Sequence, residues 1–251
     1  NTYLKERYEE LIDDIIAQSD VILLLLDARM PELSRNKRIE AILKEQKRDF
    51  IFVLNKYDIA PKATVIEARK KLSHIAPVMQ VSCKTGMGMD YLRRKIYKTF
   101  DTIPDCKRKV GLLGYPNMGK SSLINRLAKR SAAKVSSTAG FTRSISWIRG
   151  RRMELVDGPG YIESKEKGNQ LQMAMISAQN AEDLPDPEMV AYEITKEMIA
   201  KHKRGLERLY DVKIETDDPA EEIAIIGKRF GHLKRGGGIE HKKTSIIIIK
   251  D

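Results

Sequence analysis

Apolar positions recur every three or four residues from Tyr3 to Ser19. Leu4, Tyr8, Leu11, Ile12, Ile15 and Ile16 share one helical face opposite acidic residues, which predicts an amphipathic helix. The period then vanishes. Val21 to Ala28 is a near-continuous apolar run interrupted only by Asp27, the pattern of a parallel strand covered on both faces. Helical spacing returns over 34–46, a second apolar strand follows over 50–54, and a helix over 61–73 carries proline in its first turn. A strand over 77–82 and a helix over 89–100 complete a βαβαβα alternation. Such alternation implies a doubly wound sheet with its ligand at the C-terminal ends of the strands.

Residues 102–108, with Pro104 and a charge cluster, read as a linker. A strand over 109–113 then enters a glycine-bearing loop, a helix follows over 120–128, and strands over 145–148 and 153–156 look like a hairpin around Arg149-Gly150-Arg151. Beyond Gly160 the chain turns polar and methionine-bearing, and from Pro187 helices dominate. The expected division is an α/β domain over 1–183 and a small helical domain over 184–251, with the Lys-Arg-Gly-Gly-Gly run near the end as an exposed turn.

The loop Gly114-Tyr115-Pro116-Asn117-Met118-Gly119-Lys120-Ser121 fits GxxxxGK[ST] and lies between a predicted strand and a predicted helix, the context the motif requires. Its backbone N–H groups, from Asn117 through Gly119 to Ser122, and the helix N-terminus would cradle phosphates. Lys120 would add a cation to the β and γ oxygens, and the Ser121 hydroxyl would bind Mg²⁺. Asn55-Lys56-Tyr57-Asp58 ends the second strand of the first half. A carboxylate at Asp58 can accept from N1–H and the exocyclic amine of guanine, whereas adenine would leave that charge unpaired. Asn55 would tie loops together, and the Lys56 stem would lie over the base. Ser82-Cys83-Lys84, after the third strand, matches a loop that gives a backbone N–H to guanine O6. Asp157-Gly158-Pro159-Gly160 supplies a carboxylate toward Mg²⁺ and the Gly160 N–H for a γ-phosphate. In the Ser136–Ser144 stretch a threonine must reach Mg²⁺, and Thr142 is preferred to Thr138. Asp27 divides evenly between capping or structural duty and a role near the site.

Composition narrows the picture further. No apolar run reaches membrane-spanning length, and no signal peptide is expected at this N-terminus. Cys83 and Cys106 lack metal or disulfide spacing, which fits a reducing cytoplasm, and the four histidines are scattered. The net charge is +11, and residues 102–152 hold twelve Lys or Arg against the single acid Asp105, so that segment carries the whole excess. Charge so uneven favours a polyanionic partner. Arg149, Arg151 and Arg152 beside the site, with Lys228, Arg229, Lys234 and Arg235 near the end, are candidate phosphate contacts. Aromatic residues make up only 6% of the chain and no RNP-type motif is present, so RNA would be met by shape and phosphate rather than by base reading.

The order of these motifs is unusual, because the base loop precedes the phosphate loop. Read cyclically from Lys109, the elements run phosphate loop, Thr142, DxPG, Asp27 strand, NKxD and SCK, which predicts a circularly permuted Ras-like P-loop GTPase sheet with a C-terminal α-helical domain. At this point the chain resembles the circularly permuted GTPases of ribosome assembly, the YlqF/RbgA type and its archaeal and nucleolar relatives. "DARMPELSRN", "GYPNMGKSS", "DGPGY" and "GKRFGHLKRGGG" carry the resemblance over nearly the whole chain, and "TSIIIIKD" departs from the family pattern. It implies a monomeric GTPase switch that binds rRNA or a large-subunit precursor in the GTP form, with GTP as substrate and Mg²⁺ as cofactor. Asn117 resembles the asparagine that holds K⁺ in potassium-dependent relatives, implying K⁺ stimulation. Tyr161 replaces the water-orienting glutamine of Ras-like enzymes, so intrinsic hydrolysis is expected to be slow, and residues 161–183 are expected to relay nucleotide state to the helical domain. A GTPase acting on tRNA or a translation factor, and a nucleotide-stabilised RNA scaffold, are the competing readings.

Overall fold

The structure is a computed structural model and describes residues 2–100, 108–128, 147–150, 152–158, 170–177, 179–234 and 236–251, with residues 2–8 and 170 described by their backbone alone. Two compact units are distinguished, 1–163 and 164–251.

In the first unit, α1 (Thr2–Gln18) leads to β1 (Val21–Asp27), whose residues are all buried. Then come α2 (Lys37–Glu45), β2 (Phe50–Asn55), α3 (Lys62–Leu72), β3 (Val78–Gln80), α4 (Met89–Thr99), β4 (Lys109–Leu113), α5 (Lys120–Ala128), β5 (Trp147–Arg149) and β6 (Glu154–Asp157). The six strands form one sheet in the order β3-β2-β1-β4-β6-β5. Every neighbouring pair is parallel except β5 with β6, the hairpin expected around Gly150. The apolar face of α1 is buried through Ile12, Ile15 and Ile16, in one core with Ile22, Leu24 and Leu26 of β1 and Phe50, Phe52 and Leu54 of β2. The mixed α/β architecture, with a mostly parallel sheet, is that of a P-loop GTPase.

Among the boundaries that differ from the expected ones, two have their cause in local hydrogen bonds. The second helix starts at Lys37 rather than Ser34, since the Asn36 side chain caps it by accepting from Ile39 N (3.0 Å). Ser34 serves the preceding turn instead: its hydroxyl accepts from Asp27 N (2.9 Å) and donates to Met30 O (2.9 Å). The third strand stops at Gln80 because Ser82 already belongs to a turn, where Ser82 N donates to Met87 O and Gly86 N to Ser82 O.

Chain direction alone locates a crevice. β2 and β3 lie on one side of β1 and β4 on the other, so the path reverses between β1 and β4, and all parallel strands release their loops at the same edge. Register aligns Asp27 with Asn55 and Leu112 with Asp157 along that edge.

The second unit holds α6 (Gln170–Met175), a 3₁₀ turn at Ala181–Asp183, α7 (Pro187–Tyr210), α8 (Pro219–Arg229) and α9 (His241–Lys250). Ala174 of α6 and Leu184 share a small core with Val190 of α7. Asp186 and Asp218 cap α7 and α8, each followed by proline at the first helical position. Ala191, Ile199 and Leu206 of α7 pack with Ile223, Ile226 and Ile248, so the "TSIIIIKD" run completes a helical core. The glycine run forms an exposed turn closed by Lys234 N to Gly238 O (2.7 Å). No helix among the described residues is long and apolar enough to cross a membrane.

Candidate nucleotide site

The loop after β4 bends sharply back toward α5. Gly114 (φ 148°) and Gly119 (φ 91°) adopt positive φ, and so does Asn117 (φ 60°), which stands exposed at the loop's crest. At Gly119 a Cβ would lie 2.3 Å from Asn55 Nδ2, so the backbone of the phosphate loop approaches the base loop as closely as atoms allow. Met118 is buried and Ser122 half-buried. Lys120 turns back over the loop, its Nζ donating to Gly114 O (3.0 Å) and Tyr115 O (2.9 Å). Burial lowers its pKa to about 8, with Asp157 pulling the other way. Ser121 Oγ donates to Asp157 Oδ2 at 2.6 Å. This pair of hard oxygen donors, one at the start of α5 and one at the end of β6, suits Mg²⁺, which takes one or two protein oxygens and completes its shell with phosphate and water. Among the described residues no cluster of three or more His, Cys, Asp or Glu could hold a metal by itself.

Asn55 joins three loops. Its side chain, 3% exposed, donates from Nδ2 to Met118 O (2.9 Å) and accepts at Oδ1 from Cys83 N (3.2 Å). The next residue, Lys56, is left-handed (φ 64°), and its Nζ reaches Asp27 Oδ2 at 2.8 Å. Asp58 follows half-buried in a 3₁₀ turn over Tyr57–Ile59. Ser82 is buried, and its hydroxyl accepts from Thr85 N (3.0 Å), which shapes the loop carrying half-buried Cys83 and exposed Lys84.

Two parts of the arrangement went beyond what the sequence showed. Asp27, left open between two roles, ends β1 with its side chain 1% exposed. Burial pushes its pKa up, but hydrogen bonds from Arg29 and Lys56 outweigh this and hold it below the ordinary carboxylate value. Arg29 grips both oxygens (Nε–Oδ1 3.0 Å, Nη2–Oδ2 2.8 Å). Asp27 thereby anchors the lysine of the base loop. The second is Arg126, on the second turn of α5, which donates from Nε to Cys83 O (2.8 Å) and from Nη2 to Lys84 O (2.6 Å). Nothing in the local pattern marks it, because its partners lie about forty residues away in another loop.

Thr142, Gly160, Tyr161, Arg151 and Arg235 lie outside the described residues. Arg149 is exposed on β5, and Arg152 lies over the Tyr97 ring at 5.4 Å. Lys228, Arg229 and Lys234 are exposed in the second unit, where Arg229 also pairs with Asp211 (2.8 Å). Trp147, half-buried, packs on the core of the first unit rather than standing as an open platform.

Comparison with known proteins places these loops in context. Residues 1–160 match a family described as RsgA GTPase, and residues 109–217 one described as 50S ribosome-binding GTPase. The chain is 32% identical to ribosome biogenesis GTPase A of Bacillus pumilus, over 92% of this chain and 86% of that protein. It is 32% identical to an uncharacterized GTP-binding protein of Methanocaldococcus jannaschii over 99% of this chain, and 30% identical to nucleolar GTP-binding protein 2 of Saccharomyces cerevisiae over 94% of it. The chain spans less than two thirds of those two relatives, 65% and 49% of their lengths.

Proposed function

The chain belongs to the family of ribosome biogenesis GTPase A, and from that premise we propose that it binds GTP, hydrolyses it to GDP and phosphate, and serves as a switch in assembly of the large ribosomal subunit. One observation carries the reading: the buried Asn55 side chain bonds the phosphate loop at Met118 and the SCK loop at Cys83, so the base-reading and phosphate-binding elements meet on one side chain. That bridge supports the assignment of Asp58 to the guanine edge, of Lys120 to the β and γ phosphates, and of backbone N–H groups over 117–122 to the phosphates.

Ser121 and Asp157 are the residues that would hold Mg²⁺, which, when bound, neutralises phosphate charge. Thr142 and Gly160 are proposed to meet Mg²⁺ and the γ-phosphate in the triphosphate state, and Asn117, exposed on the loop crest, a K⁺ ion. The domain is proposed to be a circular permutation of the Ras-like order, which accounts for a base loop that comes first in the chain. Exposed Lys228, Arg229 and Lys234, with Arg149, Arg151, Arg152 and Arg235, are proposed to contact rRNA phosphates.

The experiment is GTP turnover by the full chain with and without purified large subunits, in KCl and in NaCl, with ATP as control. Turnover of GTP and not ATP, raised by subunits and by K⁺, is the expected result. Equal use of ATP would overturn the guanine reading, equal rates in the two salts the K⁺ site, and indifference to subunits the ribosomal partner.

A further inference from the structure

The loop that carries Ser82-Cys83-Lys84 is held from two sides. On the inner side, Asn55 Oδ1 takes Cys83 N–H (3.2 Å) and Ser82 Oγ takes Thr85 N–H (3.0 Å). On the outer side a single guanidinium, that of Arg126, takes both consecutive carbonyls, Cys83 O at 2.8 Å and Lys84 O at 2.6 Å. The loop turns beside it at Gly86, whose φ of 87° suits glycine and which lies in van der Waals range of the Arg126 guanidinium. Arg126 is itself steadied by Arg93, whose Nη2 donates to Arg126 O at 2.6 Å and whose Nη1 pairs with Asp90 at 2.7 Å.

A trans peptide is planar, so fixing a carbonyl fixes the N–H on the opposite side of the same unit. With the Cys83 carbonyl turned toward α5, the Lys84 N–H of the same unit points away from it, while the Lys84 carbonyl shares its unit with the Thr85 N–H that Ser82 Oγ already holds. A guanidinium on the oxygen also polarises the unit and strengthens the N–H as a donor. The contacts are solvent-exposed, and exposed pairings contribute little to folding stability, so stability alone gives no reason for a fork that fits two successive carbonyls.

We propose that Arg126 is a positioning residue for base recognition: it ties the SCK loop to the phosphate-loop helix and orients the Lys84 backbone N–H toward the O6 edge of guanine. This rests on the GTPase reading above. Because α5 begins at Lys120 and Ser121, the same helix that binds phosphate at its N-terminus also sets the SCK loop two turns on, and base and phosphate contacts form together.

The test compares wild type, Arg126→Ala and Arg126→Lys as full chains, by equilibrium titration with GDP and with the diphosphate of 2-aminopurine riboside, which lacks O6 and the N1–H that goes with it; the N1–H loss falls on Asp58 alike in all three proteins, so the difference between proteins reads the O6 contact. The expected result is that Arg126→Ala weakens GDP about tenfold and weakens the 2-aminopurine nucleotide by less than half that factor, so that the preference for O6 shrinks. Arg126→Lys, with one donor group in place of a fork, should fall between. Equal loss for both nucleotides, or no loss for either, in a variant that melts as wild type does, would overturn the proposal. Failure of the wild type to bind GDP more tightly than the 2-aminopurine nucleotide would overturn the guanine reading itself.

Discussion

Replacing Asn55 by alanine tests whether the three loops form one site. The side chain is buried and supplies one donor, to Met118 O at 2.9 Å, and one acceptor, for Cys83 N at 3.2 Å. Alanine leaves a carbonyl and an N–H without partners, at a cost of about 1–3 kcal/mol each when they stay dry. In the free protein the loops can separate and let water in, so much of this cost is relieved and the melting temperature falls by only a few degrees. Nucleotide binding must draw the loops together again, and there the cost returns. We expect about 2–3 kcal/mol, a loss of roughly 30- to 150-fold in GDP affinity, read by equilibrium titration with a fluorescent GDP. Asn55→Asp sharpens the test. It keeps an acceptor for Cys83 N–H but turns an oxygen toward Met118 O, so it should bind no better than the alanine variant. Affinity within threefold of wild type for Asn55→Ala would refute the claim that this side chain assembles the site.

Three further outcomes are expected. Asp27→Asn leaves Arg29 and Lys56 facing a neutral amide in place of a carboxylate that is 1% exposed, and should destabilise the first unit by about 2 kcal/mol in urea; an unchanged midpoint would sink this. Burial pushes the Cys83 thiol up to about 11, with Arg126 and Asn55 pulling the other way, so little thiolate exists at pH 8; in a Cys106→Ser background, alkylation should be slow there and rise about tenfold per pH unit toward 11, whereas a rate that levels off near pH 9 would contradict it. Removing two phosphate contacts through Lys228→Ala with Lys234→Ala should flatten the salt dependence of rRNA binding by about two units of log–log slope and leave subunit-free GTP turnover unchanged; an unaltered slope would exclude that surface.

How much of this was legible depended on whether the cause lay along the chain or across it. Strand and helix identities were visible because period and apolar continuity are local: the runs 21–28 and 50–54 read as buried strands, and the strands observed are Val21–Asp27 and Phe50–Asn55. The glycine loop between strand and helix was visible for the same reason. Boundaries failed where a side chain intervened, as Asn36 does at the start of α2 and Ser34 in the turn before it. Arg126 and the Asp27–Arg29–Lys56 cluster escaped notice because each joins segments far apart in sequence, and no spacing rule reports such a meeting.

The same distinction explains why the proposed permutation costs the site little. The contacts that build it, Asn55 to Met118 and to Cys83, Ser121 to Asp157 and Arg126 to the SCK loop, all join the loops at one edge of the sheet to one another or to α5. None depends on which strand comes first. What a change of chain order alters is the length of connections, and doubling a loop costs only about 0.6 kcal/mol, against roughly 2–4 kcal/mol for stripping one buried side chain of its backbone partners. β1 and β4 also hold their register without help from chain order, since Asp20 fixes the start of β4 by accepting Lys109 N–H at 2.7 Å and donating to Lys109 O at 2.8 Å. The side chains that cross between loops therefore carry the site, and the proposed change of chain order leaves them in place.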